Sequence, residues 1–107
     1  MTYANTFPAV GHKYLVDFQQ FKVMLDFTSI TSMTFTGVAA DGSTGTPVTV
    51  VIAVEPIRDG LFLVTWQEED KTTVVHLEDY KHHTIITCIT GSDGSFDKFH
   101  GTVTLIS

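Results

Sequence analysis

Leu61-Phe62-Leu63-Val64-Thr65-Trp66-Gln67 is followed by Glu68-Glu69-Asp70-Lys71 and then by Thr72-Thr73-Val74-Val75-His76-Leu77-Glu78. Two runs rich in β-branched and aromatic side chains flank four charged residues. Such runs favour strands, and a polar break between them reads as a hairpin turn. Working outward, Asp41-Gly42, Asp59-Gly60 and Asp93-Gly94 mark further turns, since Asp-Gly between strands is a strong hairpin signal. Strands are predicted at His12 to Phe18, Phe21 to Phe27, Ile30 to Thr36, Pro47 to Val54, Leu61 to Gln67, Thr72 to Glu78, His83 to Thr90 and Phe96 to Leu105. Pro47 fits only at the start of its strand. Gly101 marks a bulge or sharp bend in the last one. Residues 3 to 10 read as a helical turn or an arm. No segment keeps helical periodicity, and the connections are short, so consecutive strands should pair up and down. About eight regularly spaced strands indicate a sandwich or a barrel, and closing a barrel removes exposed edges.

The same hairpin holds the residues with the most chemistry. Trp66 and Glu68 share one strand face, and so do His76 and Glu78, by the period of two. Whether the pairs share a face depends on the turn. A loop of only Glu69-Asp70 pairs Trp66 with Thr73 and puts His76 on the opposite side. A loop one residue longer pairs Trp66 with Val74 and brings all four together, because a one-residue slip flips every side chain. The residue types admit both. Converged inside a barrel, His76 with Glu68 or Glu78 could move protons near neutral pH, and Trp66 would offer a flat wall and an indole donor. On the opposite face they would be a core tryptophan, a solvated hairpin end and a surface ladder.

Composition excludes several classes. The chain has 107 residues, 43% hydrophobic, which suits one domain with its own core. The net charge is -6, with only 6 Lys and Arg, scattered along the chain. That argues against nucleic acid, whose phosphates need clustered cations. No apolar run approaches a membrane span, and the Met1-Thr2-Tyr3-Ala4-Asn5 start lacks the basic and apolar parts of a signal peptide. A cytoplasmic protein is expected. Cys88 is the single cysteine, so no internal disulfide can form. A lone strand cysteine is usually a small apolar filler.

From Gly60 to Gln67 and Glu68, through Thr73 to Tyr80, Thr87-Cys88-Ile89-Thr90, Asp93-Gly94-Ser95-Phe96 and Gly101-Thr102, the chain resembles the MoaF-like family. Gly11, Tyr14 and Leu25-Asp26-Phe27 stand in roughly matching places. The resemblance implies an all-β fold, a small antiparallel up-and-down β-barrel of the calycin or lipocalin kind. It implies no defined reaction.

The expected function is binding of a small, partly aromatic or polar molecule in the barrel. Candidate contacts are Trp66, Tyr14, Phe27, Thr90 and Arg58, with His76, Glu78 and Glu68 as acid–base candidates. Phe18 and Phe35 are further early-strand aromatics, mostly core, of which one or two could line a pocket. The alternatives are a small cofactor-free isomerase, cyclase or lyase using His76 with Glu68 or Glu78, and a homodimeric interaction module without a ligand. No cofactor is expected. No metal site is expected either: His76-x-Glu78 offers two ligands where zinc takes three or four from protein, and the paired His-x-His of cupins is absent.

Overall fold

The computed structural model describes residues 6–107. Among these, all regular structure is β: β1 (Lys13–Asp17), β2 (Lys22–Phe27), β3 (Ser32–Val38), β4 (Val48–Val51), β5 (Ala53–Arg58), β6 (Leu61–Gln67), β7 (Thr73–Asp79), β8 (Thr84–Thr90) and β9 (Phe96–Leu105). They form one antiparallel sheet in the order β4-β3-β2-β1-β9-β8-β7-β6-β5. Its two ends, β4 and β5, are consecutive in the chain and meet at Ile52, so the sheet curls into a nearly closed barrel. The expected strand from Pro47 to Val54 is thus two strands, and the total is nine instead of eight. The change of partner falls at Ile52: its N–H donates to the carbonyl of Thr31, 2.9 Å away, in line with the β3–β4 register, pairing with β6 begins at Ala53, and its side chain is buried in the core. β5 then runs on to Arg58 along β6, with a register shift between Pro56 and Arg58. Pro56 is tolerated because β5 is an edge strand. No helix among the described residues is long and apolar enough to cross a membrane.

Alternation does what the period of two requires. Tyr14 and Val16 of β1, and Phe18 just after it, face inward with Leu25 and Phe27 of β2, Phe62, Val64 and Trp66 of β6, and Ile85 and Thr87 of β8, all buried. One end is floored by the segment before β1. Phe7 is buried there, edge-on to Phe27, Phe62 and Tyr80 at 5.2, 5.1 and 5.6 Å. The chain then turns through residues 8–11, where the His12 N–H donates to the Ala9 carbonyl and the Gly11 N–H to that of Phe27. Residues 6–10 are therefore a docked arm with a turn at its end; residues 3–5 lie outside the described part. Gly101 passes without a register shift in the β8–β9 ladder. Glycine is needed there because a Cβ would lie 2.5 Å from the Asp17 carbonyl oxygen.

The other end is the mouth, formed by four hairpin turns. Three share one geometry. The N–H of Ala39, Glu68 and Gly91 donates to the carbonyl of Ser43, Thr72 and Ser95, and the N–H of Gly42, Lys71 and Gly94 donates back to Ala39, Glu68 and Gly91. Each needs a left-handed residue before its last position: Gly42 (φ 88°), Lys71 (φ 77°) and Gly94 (φ 87°). In each, an aspartate accepts the backbone N–H two residues on: Asp41 from Ser43, Asp70 from Thr72 and Asp93 from Ser95. Lys71 holds a conformation that costs a side chain with a Cβ about 1 kcal/mol. Lys71→Gly should therefore raise the urea midpoint of unfolding by an amount equivalent to about 1 kcal/mol; a lowered midpoint would contradict this reading of the turn.

Candidate functional site

The three-residue loop Glu69 to Lys71 decides the register between β6 and β7. Trp66 pairs with Val74, Val64 with His76 and Phe62 with Glu78. Trp66, His76 and Glu78 thereby all point into the barrel and are buried, and Glu68 stands half-buried at the mouth on the same face. The Trp66 indole N–H donates to Glu68 Oε2 at 3.2 Å. His76 Nδ1 lies 2.9 Å from Glu78 Oε2, and the Tyr80 hydroxyl donates to Glu78 Oε1 at 2.5 Å. Glu78 has no exposed surface. A carboxyl group so placed must have hydrogen-bond partners, and one falls on each of its oxygens.

A cavity of about 310 Å³ opens at the mouth end, lined chiefly by Phe18, Phe21, Phe35, Trp66, His76 and Thr87. Its walls are aromatic. Phe35 stacks on Trp66 with centroids 6.0 Å apart, and Trp66 meets His76 edge to face at 4.7 Å. Glu78 lies behind His76, away from the lining. A carboxylate on Nδ1 orients an imidazole so that Nδ1–H donates and Nε2 carries the lone pair. Thr87 stands directly opposite His76 in the β7–β8 ladder. Its Oγ1 is fully buried without a hydrogen-bond partner, and the residue lines the cavity. Lys22, Glu68 and Thr72 complete the polar lining nearer the mouth.

The other expected contacts lie elsewhere. Tyr14 and Phe27 are buried toward the floor, where they pack with Phe7 and Tyr80. Thr90 is half-buried on the opposite face of β8 from Thr87 and Ile89, and Arg58 is exposed beside the β5–β6 turn; neither lines the cavity. Sequence reasoning missed Thr87 and Tyr80. The signals were present: Thr87 is the one polar residue between Ile85 and Ile89 on an inward face, and Tyr80 continues the inward series His76, Glu78. Cys88 is half-buried on the outer face. Among the described residues, no group of three or more His, Cys, Asp or Glu could hold a metal ion.

Charge at the mouth is negative. The hydroxyl and backbone N–H of Ser43 lower the pKa of Asp41, and the backbone N–H and hydroxyl of Thr72 and of Ser95 lower those of Asp70 and Asp93. These carboxylates stay ionised at neutral pH. Deeper in, burial pushes the Tyr80 hydroxyl up, helped by the Glu78 carboxylate and the hydrogen bond to it. Burial and then Glu78 raise Tyr14 as well.

A family model described as MoaF-like matches residues 10–104. The crystal structure of a putative beta-lactamase from Burkholderia vietnamiensis is similar with a TM-score of 0.83 at 22% identity, over 96% of this chain and 100% of that one. At that identity the likeness is one of fold. No curated protein matches the chain.

Two stability measurements test this geometry. A buried hydroxyl without a partner costs about 1–3 kcal/mol. Thr87→Val should therefore leave stability unchanged or raise it by about 1 kcal/mol in urea unfolding, and a loss of that size would mean the hydroxyl is bonded. The raised tyrosines keep protons that the unfolded chain gives up above about pH 10. Stability is then full below that pH and falls as pH rises beyond it. Between about pH 8 and about pH 12, Tyr80→Phe should show an alkaline fall shallower than wild type by up to about 1.4 kcal/mol per pH unit; equal slopes would contradict the assignment.

Proposed function

The chain belongs to the MoaF-like family, and for this member of it we propose that the barrel binds a small, partly aromatic organic molecule between Trp66, His76 and Thr87. The observation that carries the reading is the aromatic cavity, whose lining holds a histidine fixed by a carboxylate and Thr87, a residue whose hydroxyl is buried without a partner. Pockets of this kind are mostly apolar with a few placed polar groups. At roughly 30 Å³ for each water-sized atom, the cavity takes on the order of ten non-hydrogen atoms. The acidic mouth favours neutral ligands over anions. A polar-tipped cavity also fits a binder better than a ligand-free interaction module, which has no use for one. The acidic composition and single cysteine suit a cytoplasmic setting.

The reading does not extend to β-lactam hydrolysis. Ser95-Phe96-Asp97-Lys98 has the S-x-x-K spacing of serine β-lactamases, but Lys98 lies on the strand β9. Residues three apart on extended chain face opposite sides, so the lysine is not placed to activate Ser95.

2-Naphthol is a suitable probe, planar and with one hydroxyl. Titrating it should shift the NMR signal of the Trp66 indole N–H, the chain's one indole, in a saturable way. Thr87→Val and His76→Gln should each weaken that binding about tenfold, as expected for one lost hydrogen bond of about 1.4 kcal/mol. Affinity unchanged in both variants would sink the proposed site.

A further inference from the structure

Resting on that binding reading, we propose that the cavity is catalytic: it interconverts the keto and enol forms of a small ketone that carries an aryl ring on its α-carbon, with His76 as the base and Thr87 as the donor to the carbonyl oxygen. The Nδ1 of His76 is taken up by Glu78, which leaves Nε2 as the ring's free lone pair. Histidine held in this way is the common device for a general base. Thr87 is its direct cross-strand neighbour, and such neighbours have Cβ atoms about 5 Å apart. That separation suits a carbonyl oxygen against Oγ1 and the hydrogen on the adjacent carbon against Nε2. The aromatic walls of Phe35 and Trp66 fit an aryl ring conjugated with the reacting carbons. Their low polarity strengthens the hydrogen bond to developing charge on oxygen.

The step balances without a co-reactant. The α-carbon C–H bond breaks and its proton passes to Nε2. The C–H electron pair becomes the C=C π bond, and the carbonyl π pair moves onto oxygen, where the Thr87 hydroxyl donates to it. The imidazolium then returns its proton to that oxygen, giving the enol, or to carbon, regenerating the ketone. Glu78 touches no reacting atom. It is a positioning residue, itself held by the Tyr80 hydroxyl.

The test uses 2-indanone, which is small enough for the cavity, with the folded protein in deuterated water. Loss of its α-proton signals by NMR reads the chemistry, and the Trp66 indole signal reads binding. Wild type should exchange the α-protons at least about 100-fold faster than buffer alone at the same pH. His76→Gln should abolish that acceleration. Thr87→Val, which removes an unpaired hydroxyl and so keeps the fold, should lower kcat about 100-fold, more than the roughly tenfold rise in KM expected from the lost hydrogen bond. Glu78→Gln should likewise lower kcat more than it raises KM. If 2-indanone moves the Trp66 signal while its protons exchange at the buffer rate, the catalytic inference is overturned and the binding reading stands. If neither 2-indanone nor 2-naphthol moves that signal, the binding reading falls and takes this inference with it.

Discussion

Glu78 has no contact with water, and a carboxyl group in that position must be supplied with hydrogen bonds by the protein or give up its charge. The surrounding structure meets this demand from one strand face and its continuation. His76, two residues earlier, takes one oxygen, and Tyr80, two residues later, takes the other. Removing one partner would strand the rest, because a half-satisfied polar network inside a barrel costs more than an apolar one. The tyrosine that serves the carboxyl group is also part of the floor, edge-on to Phe7, Phe62 and Tyr14. The histidine is part of the cavity wall. One buried group thus joins the closed end of the barrel to the open one.

That arrangement exists only in one register. If β6 and β7 were joined by two residues instead of three, His76 and Glu78 would face solvent and Val75 and Leu77 would face Trp66. The turn that prevents this repeats the geometry of two others at the mouth, with aspartates at matching positions 41, 70 and 93. Closure supplies the second condition. Ile52 lets one run of chain pair with β3 on one side and β6 on the other, so the polar cluster is enclosed instead of lying on an open sheet.

Much of this was legible in the sequence. Alternation and the Asp-Gly turns read out the antiparallel strands, and the resemblance from Gly60 to Thr102 turned an ambiguous sandwich or barrel into a barrel. Trp66, Glu68, His76 and Glu78 stood out by type and spacing. What stayed hidden has physical causes. The deciding turn carries Lys71 where its two siblings carry glycine, so the left-handed position gave no composition signal; only the repeated Asp-x-Ser/Thr pattern at 41–43, 70–72 and 93–95 betrays it. The break at Ile52 is a change of pairing partner, to which periodicity is blind. Phe7 belongs to the core through a docked arm with no strand pattern. Thr87 looks like any strand threonine until its opposite number proves to be His76.

The site is therefore a pair of neighbouring polar groups at the base of an aromatic cavity, one held rigid by a buried carboxyl group and one left without a partner. The central claim is that these two are directed at a ligand. The most direct measurement is a crystal structure of the protein soaked with 2-naphthol. The account predicts the ring against Trp66 and Phe35, with its oxygen within hydrogen-bond distance of both His76 Nε2 and Thr87 Oγ1. A naphthol found only outside the barrel, with Thr87 Oγ1 bonded to the protein itself, would contradict it.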